Sequence, residues 1–375
     1  MNPVIDFISA KDDILQFTLS GVNVSIANSL RRTVLSDIPL VVFKTSPYEE
    51  NRANILVNTS RLNNEILKQR LSCIPIHINN LKEFPLKNYQ LEINVENNTD
   101  TLMFVTTKDF IIKDLLTNKP IDPAQNKEIF PPFQSPNGDF YIDFVRLRPK
   151  ISDTIPGEKI QLTCTFSVST AKDDGMFNAV STCAYGYTQD KDKKEAELAK
   201  KLQSWKDEKK EEIEFEIKNW ELLEALRIVK QDSFDFTIKT VGIYTNDELL
   251  KNACSILIEK ITHFVDLMNS DKLKIEKSNT TMSNCYDVTL ENEDYTIGKA
   301  LEFILYTKFY EEAKTLSFCG FSKSHPHNDY STIRLAYFNP TEISNIKKDL
   351  MDAFTILHDI YTKIKKEIST KLKGK

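Results

Sequence analysis

Two stretches of the chain alternate apolar and polar residues with the period of two that predicts a half-buried strand. QFTLS precedes an amphipathic helix that is expected to begin after Asn23, and YDVTL precedes one expected after Asp294. Asn and Asp are favoured N-caps, and apolar residues recur every four positions beyond each of them. The pattern predicts two strand–helix units that each bury one helix face.

The two units are also related in sequence. An ungapped alignment that places Thr18 on Thr289 matches a further five positions: Leu19, Asn23, Ser25, Ile26 and Leu30 fall on Leu290, Asp294, Thr296, Ile297 and Leu301. Chance is the alternative explanation, because amphipathic helices resemble one another and short matches give false positives. We interpret the likeness as an internal repeat.

A long amphipathic helix is predicted to follow in each half. Thr245–Glu248 has the spacing of a capping box, and Asn339–Glu342 places Pro340 at the first helical position. Apolar stripes of this length cover each other most economically, although each helix could instead pack only on its own sheet. The residues expected at the resulting interface are Ile26, Leu30, Val34, Leu257, Phe264, Ile297, Leu301, Leu305, Leu350, Phe354 and Leu357.

The segment between residues 76 and 163 has a different texture, since eight prolines separate short β-like runs such as YQLEINVE. Insertion of a module at a surface loop is well tolerated. We therefore expect an α+β protein with a first domain of residues 1–75 plus 164–270, an inserted β-rich domain of residues 76–163, and a second domain of residues 271–375.

Bulk composition narrows the class of protein. The 375 residues are 41% hydrophobic and 27% charged, which is ordinary for a globular chain. A net charge of −5 offers no general attraction to nucleic acid, so direct sequence-specific binding to DNA or RNA is not expected. The chain has no run of 18 apolar residues and no basic-then-apolar leader, which argues against a membrane or secreted protein.

The remaining candidate chemistry is sparse. Six scattered cysteines without a C-x-x-C pair are expected to be reduced core residues, so neither a metal site nor a cofactor is predicted. His325 and His327 form the one local histidine pair, and an enzyme interpretation would use them with Cys319 as a metal or acid–base site. No phosphate-binding, zinc-protease or nucleophile-elbow motif supports that interpretation, so we predict no catalytic residue.

Two charged features are candidates for contact with another protein. The Lys- and Glu-rich stretch Asp190–Ile217 is predicted to be a solvated helix, with docking of another protein through Trp205 as the alternative. Arg31 and Arg32 follow buried Leu30, so at least one guanidinium points away from the core, where its fork could hold a carboxylate of a partner. Two solvated arginines are the alternative for this pair.

These residues carry a resemblance to a known family. NSLRRTVLSDIP, NTSRLNNEILKQRLSCIPI and SFDFTIKTVGIYT resemble, in order, the third-largest subunit of eukaryotic RNA polymerase II, the archaeal D subunit and the amino-terminal domain of the bacterial alpha subunit. YTIGKALEFILY, LSFCGFSKSHPHNDYSTIRL and the last helix look like the small eleventh subunit and archaeal L. Nearly the whole chain is covered.

The resemblance implies two fused alpha-like dimerisation domains that form an intramolecular pseudo-dimer. It implies a non-catalytic platform for assembly of a DNA-directed RNA polymerase, whose partners are the second-largest and largest subunits and small zinc-bearing subunits. Such fusions occur in some large DNA viruses, so the expected setting is an infected cell's cytoplasm (the viral factory) and the virion, with the nucleus as alternative. By resemblance, the docking residues are Asn28, Arg31, Arg32, Met176 and Phe177.

The chain also departs from the family pattern. The loop that reads H-A-K-W-S-P in eukaryotic relatives is Asp174–Ala179 here and keeps only an aromatic residue, and Lys299 and Glu302 replace an Asn and an Arg in the second half. The metal-binding cysteine cluster of many relatives is missing from residues 76–163. A free-standing pseudo-dimeric scaffold unrelated to transcription is the alternative function.

Overall fold

A computed structural model describes residues 1–80, 84–152, 154–207 and 213–373 of the chain. The helices in this part are α1 (Val24–Ser36), α2 (Asn64–Ser72), α3 (Pro123–Ile129), α4 (Lys191–Asp207), α5 (Ile213–Leu222), α6 (Asn246–Asn269), α7 (Tyr295–Leu305) and α8 (Ile343–Lys371). Short 3-10 helices lie at Tyr48–Glu50, Leu86–Asn88, Thr107–Asp109 and Glu224–Arg227, and α7 continues into a π-helix at Tyr306–Glu312.

The strands in the same ranges are β1 (Val4–Lys11), β2 (Ile14–Ser20), β3 (Leu40–Val42), β4 (Ala53–Asn58), β5 (Tyr89–Glu96), β6 (Met103–Thr106), β7 (Ile111–Asp114), β8 (Lys119–Pro120), β9 (Phe133–Ser135), β10 (Gly138–Phe140), β11 (Asp143–Leu147), β12 (Lys159–Thr165), β13 (Ser167–Ser169), β14 (Val180–Gln189), β15 (Val229–Thr240), β16 (Ile275–Lys277), β17 (Cys285–Glu291), β18 (Leu316–Ser322) and β19 (Tyr330–Tyr337). The fold is mixed α+β, as the sequence predicts.

The chain forms two compact units. The first comprises Met1–Leu35, Val180–Lys239 and Thr245–Lys375, and the second comprises Ser36–Ala179 with Thr240–Tyr244. Residues of both predicted dimerisation domains therefore lie together in the first unit. The predicted insert, residues 76–163, lies within the second unit, which also takes in the flanking residues 36–75 and 164–179.

The first unit confirms the repeat. Its first half runs β1, β2, α1, β14, β15, α6 along the chain, and its second half runs β16, β17, α7, β18, β19, α8. The two four-stranded sheets have the orders β1-β2-β15-β14 and β16-β17-β19-β18, so corresponding strands occupy corresponding places. An agreement of both chain order and sheet order is not expected from chance similarity between amphipathic helices.

The starts of the two repeated helices follow from their caps. The Asn23 side chain accepts a hydrogen bond from the Ser25 amide at 2.9 Å, and Asp294 accepts one from the Thr296 amide at 2.8 Å. Each cap satisfies a backbone donor that has no partner inside its helix. In the second half Gly298 lies so close to the Phe321 ring that a Cβ atom would overlap it, so α7 approaches β18 closely.

The two long helices differ in how well their starts follow the sequence. Thr245 and Glu248 form the predicted capping box at the start of α6. The predicted start of α8 at Asn339–Glu342 is wrong, because Glu342 is still extended and the helix begins at Ile343. In this segment Thr341 accepts a hydrogen bond from the Tyr286 hydroxyl at 2.8 Å, a tertiary contact that local cap spacing does not encode.

The charged stretch after Asp190 also differs from the prediction. Lys194 near the start of α4 pairs with Glu221 of α5 at 3.4 Å, whereas 27 residues would span about 40 Å in one continuous helix. The prediction of a single helix is therefore wrong, and residues 208–212 of that stretch lie outside the described residues. Trp205 is only 7% exposed and packs in a small cluster with Trp220 and Ala225, so its ring is core rather than docking surface.

The second unit is built around the five-stranded sheet β4-β12-β5-β7-β8. Two-stranded ribbons β11-β6, β10-β9 and β13-β3 accompany it, and α2 contacts β11. Its own core holds edge-to-face rings such as Phe110 with Phe144, whose centroids are 5.5 Å apart. Strands β5 to β11, the helix α3 and most of β12 fall within residues 76–163.

Candidate functional site

Helices α6 and α8 lie along each other in the first unit and, with α1 and α7, form what we call the seam between the two halves. Phe264 of α6 stacks on Phe354 of α8, with centroids 5.7 Å apart and ring planes 7° from parallel. Fully burying an aromatic or aliphatic side chain stabilises a fold by about 1.5–3 kcal/mol. The seam is thus a large apolar contribution to the stability of this unit.

Each residue predicted for the interface is buried. All eleven side chains are at most 2% exposed: Ile26, Leu30, Val34, Leu257, Phe264, Ile297, Leu301, Leu305, Leu350, Phe354 and Leu357. They lie on α1, α6, α7 and α8, the helices of the seam. Burial is the property that an interface position requires, and the pairing of Phe264 with Phe354 is one contact made across the halves.

A polar contact crosses the seam within this apolar surface. The hydroxyl of Ser29 on α1 donates to the Ile26 carbonyl at 2.7 Å, so it accepts from the Tyr361 hydroxyl of α8, 2.6 Å away. Burial raises the pKa of Tyr361, although the Ser29 hydrogen bond acts in the opposite direction. Sequence reasoning missed this pair, but a Ser and a Tyr at positions of otherwise apolar stripes were the available signal.

Arg32 makes a second polar contact between the halves. Its Nε donates to the Thr296 hydroxyl at 2.8 Å, and its Nη2 pairs with the Asp294 carboxylate at 2.9 Å. Asp294 is also the N-cap of α7, so the guanidinium clamps the start of the helix that repeats its own. The resemblance assigned Arg32 to a partner subunit, whereas the structure engages it inside the chain.

The Asp294 carboxyl is held ionised by these neighbours. Burial by itself raises its pKa, but the hydrogen bonds from Thr296 and the charge of Arg32 outweigh burial and leave the pKa below its ordinary value of 3.8. The acceptor of the Arg32 contact is therefore charged at neutral pH. The ion pair remains partly open to water, with the Arg32 side chain 37% exposed and that of Asp294 28% exposed.

We expect a double-mutant cycle to detect this contact. Arg32→Ala and Asp294→Ala should each lower the free energy of unfolding. The double variant should lose about 1 kcal/mol less than the sum of the two single losses, and solvent screening keeps this difference small. Urea unfolding monitored by circular dichroism measures the four free energies. Additive losses would contradict a direct interaction. Lys11→Ala with Asp12→Ala, a neighbouring pair of largely solvated side chains at 3.9 Å, is the control that should show no coupling.

The same contact predicts a dependence on pH. A carboxyl whose pKa is lower in the folded state stabilises that state above its unfolded pKa, and this stabilisation is lost as pH falls through the folded pKa. Asp294→Asn should therefore lose less stability than the unaltered protein when pH is lowered from 5 to below 3.8. Urea midpoints measured across this range test it, and parallel pH profiles would refute the prediction.

Arg31 occupies a different face of α1. Its Nε donates to the Asn28 side-chain oxygen at 3.0 Å, and both side chains are half-buried. Burial raises the pKa of the Cys183 thiol on β14 to about 12, and the nearby positive charge of Arg31 opposes that rise. Arg31 has no carboxylate partner within the described part of the chain. The remaining donors of its guanidinium are therefore available to a partner, in contrast to those of Arg32.

The face of α7 that corresponds to the Arg31 face of α1 carries a different charge. Lys299 and Glu302, one turn apart on α7, pair with each other at 2.5 Å. A pair of opposite charges at this spacing largely neutralises itself. The two halves therefore present different surfaces, as the substitutions in the sequence indicate.

Met176 and Phe177 belong to the second unit, whereas α1 belongs to the first except for its last residue. The Phe177 amide donates to the Asp174 carbonyl at 3.0 Å, and the Met176 amide donates to the Asp174 side chain at 3.2 Å. Phe177 is 4% exposed and therefore buried, while Met176 is half-buried. Of the two, only Met176 presents side-chain surface.

The potential metal ligands of the chain are dispersed. Within residues 1–80, 84–152, 154–207 and 213–373, no three His, Cys, Asp or Glu side chains are arranged to hold a metal ion. His325 and His327 are exposed, and the His325 ring accepts a hydrogen bond from the His327 amide at 3.2 Å.

None of the described helices has the length and hydropathy needed to span a membrane.

The fold and the seam define a module made of two related halves. The chain belongs to the RNA polymerase Rpb3/Rpb11 dimerisation domain family, whose model matches residues 16–261. The match extends from β2 into α6, and the second half lies beyond it.

Curated relatives agree with this family. The chain is 25% identical over 305 residues to DNA-directed RNA polymerases I and III subunit RPAC1 of Homo sapiens, covering 71% of this chain and 84% of the relative. It is 24% identical over 288 residues to DNA-directed RNA polymerase subunit Rpo3 of Pyrococcus furiosus, covering 70% and 95%. Over 191 residues it is 30% identical to the rpac1 subunit of Dictyostelium discoideum, where the match covers 48% of this chain and about half, 51%, of the relative.

Proposed function

We propose that this chain is a non-catalytic assembly subunit of a multisubunit DNA-directed RNA polymerase. The observation that carries the proposal is the family match from residue 16 to residue 261, which includes α1 and most of α6. Relatives from an archaeon and a mammal are both named as subunits of such polymerases. The role of the chain is to hold the large subunits that carry out RNA synthesis.

The chain is further proposed to be a fusion of two alpha-like subunits. Its first half, residues 1–75 plus 164–270, would correspond to the third-largest subunit, and residues 271–375 would correspond to the eleventh, with residues 76–163 inserted. The common element order of the halves and the contacts of Arg32 with Asp294 and Thr296 support an intramolecular pseudo-dimer. The buried residues of α1, α6, α7 and α8 are its proposed interface.

Docking of the second-largest subunit is proposed to use the Asn28–Arg31 face of α1. Arg31 is the proposed anchor because its guanidinium has no carboxylate partner in the described ranges and is oriented by the Asn28 side chain at 3.0 Å. Arg32 supports docking indirectly, by fixing α1 against α7. Met176 is proposed to contribute a contact from the second unit, and buried Phe177 is proposed to shape the loop that carries it. The largest subunit and small zinc-bearing subunits complete the proposed assembly.

A large DNA virus is the proposed source, on the strength of the fused arrangement. The polymerase would then work in the cytoplasmic viral factory and be packaged in the virion. Mass spectrometry of purified particles tests this proposal separately from the assembly role, because a cellular polymerase subunit would be absent from them.

Affinity purification of the tagged full chain from the cells that make it tests the assembly role. The expected result is stoichiometric recovery of the two large polymerase subunits, identified by mass spectrometry. Recovery of the chain without them, under salt conditions that keep a known polymerase intact, would overturn the proposal and favour a free-standing scaffold.

A further inference from the structure

The second unit contains a basic groove of about 490 Å³ that none of the preceding roles uses. It lies where α2 meets the β11-β6 ribbon. Its lining combines four arginines, two carboxylates and an apolar surface: Arg61, Arg70, Arg146, Arg148, Asp143, Glu158, Leu62, Leu102, Phe144 and Val145. In a chain whose net charge is −5, this concentration of guanidinium groups is unusual.

One of the four arginines is neutralised within the unit. Arg148 Nε pairs with the Glu158 carboxylate at 2.5 Å, and the other Glu158 oxygen accepts the Arg148 amide at 2.7 Å. Glu158 is 7% exposed, so this pair is a structural support of the groove wall. It leaves Asp143 as the one other carboxylate of the lining, opposite three arginines.

Two of those three arginines, Arg70 and Arg146, are held in place without being neutralised. Arg70 donates from Nε to the Phe144 carbonyl at 2.7 Å and from Nη2 to the Asp143 carbonyl at 2.6 Å. Arg146 lies with its guanidinium carbon 5.2 Å from the centroid of the Phe104 ring. In the part of the chain that the structure describes, neither they nor Arg61 form an ion pair with a carboxylate. Oriented guanidinium groups with unused donors match the geometry of carboxylates.

The apolar part of the lining distinguishes between possible anions. Phe144 and Val145 are buried in the floor, and Leu102, 56% exposed, stands at the rim. Aliphatic surface of this kind packs against apolar side chains. Proteins that bind single-stranded nucleic acid instead combine a basic groove with open aromatic faces for base stacking, whereas the aromatic residue of this lining, Phe144, is fully buried.

We propose that this groove binds an acidic segment, with interspersed apolar residues, of another subunit of the same polymerase. The inference rests on the proposed function, since it takes the partner from that assembly. The chemistry of the occupant does not depend on that function, because it is argued from the charge and the apolar surface of the groove itself. Arg61 and Arg146 would contact its carboxylates, and Leu102 would contact its apolar side chains.

Site-specific photocrosslinking tests the proposal. The photoreactive amino acid p-benzoylphenylalanine replaces Leu102 in the full tagged chain, and irradiation takes place in the producing cells before purification. A matched chain carries it at Leu116, which is 77% exposed in the same unit and does not line the groove. The expected result is a crosslink from position 102, and not from 116, to a sequence rich in Asp and Glu within another polymerase subunit.

Reversing the charge of two groove arginines is the second test of the proposal. Arg61→Glu with Arg146→Glu should lower the yield of this crosslink by on the order of tenfold. Lys87→Glu with Lys119→Glu, the same change of charge at two exposed positions of the second unit, should leave the yield unchanged. An equal loss in both variants would overturn the proposal, because it would show a response to net charge rather than to the groove.

The outcomes separate the groove from the assembly role. If the large subunits co-purify but position 102 crosslinks to nucleic acid, to a segment without acidic residues, or no more than position 116, the groove proposal fails alone. If the large subunits do not co-purify, the assembly role fails and so does the assignment of the occupant to a polymerase subunit.

Discussion

Replacement of Leu301 by Asp is expected to unfold the first unit. Leu301 is fully buried on α7, among the residues of the seam. An unpaired charge in such a place costs several kcal/mol, either as a desolvated carboxylate or through the protonation needed to avoid one. Native domains are stable by only about 5–15 kcal/mol, so a large part of that stability is lost. Circular dichroism with urea unfolding measures the effect, and Leu30→Asp on α1 should behave alike.

Two controls isolate burial as the cause. Leu116→Asp makes the same substitution at a position that is 77% exposed and should change stability by under about 0.5 kcal/mol. Leu301→Met conserves volume and should cost less than about 1.5 kcal/mol. A folded Leu301→Asp protein with an unchanged urea midpoint would mean that α7 does not pack as described.

Replacement of Arg31 by Glu is expected to release the large polymerase subunit while leaving the chain folded. Arg31 has no carboxylate partner among the described residues. Changing Arg31 to Glu therefore breaks no ion pair within that part of the chain. At a docked interface the new carboxylate would face the groups that the guanidinium held, which weakens binding by on the order of 100-fold. Co-purification of the large subunit with the tagged variant, quantified by mass spectrometry, gives the result.

Arg31 has to be reversed without Arg32. Reversal of both would confuse docking with folding, because a carboxylate at position 32 would stand against that of Asp294. Arg31→Glu alone therefore tests docking, and Lys272→Glu, an exposed site of the same unit, controls for net charge. Arg31→Lys keeps the charge but loses the planar fork, and should bind with intermediate affinity. Full assembly of Arg31→Glu would remove this residue from the proposed docking face.

The main helices could be predicted from sequence because their signals are local. The spacing of Ile26, Leu30 and Val34 identifies the buried face of α1, and Thr245 with Glu248 identifies the start of α6. These signals come from residues within one or two turns of each other. The start of α8 is not predicted correctly because a distant contact lies there. The Thr341 carbonyl, next to extended Glu342, accepts a hydrogen bond from the hydroxyl of Tyr286, 55 residues earlier.

The candidate sites depend on contacts between residues that are far apart in sequence. Arg32 and Arg31 are adjacent and chemically identical, yet only Arg32 meets Asp294, 262 residues later. The groove of the second unit gathers arginines from α2, from the turn before it and from the region of β11. No spacing rule relates these positions, so composition could not reveal the groove.

The repeated strand–helix unit can be recognised from the amino-acid sequence, because periodicity and capping are properties of neighbouring residues. The sequence also indicated which side chains are buried, because the apolar stripe of a helix defines its inner face. Two outcomes follow only from tertiary packing: Arg32 bridges the halves while Arg31 does not, and four arginines of the second unit line one groove. Those outcomes depend on where α7 and β11 are placed in space, which is fixed by the packing of the whole unit rather than by any local segment.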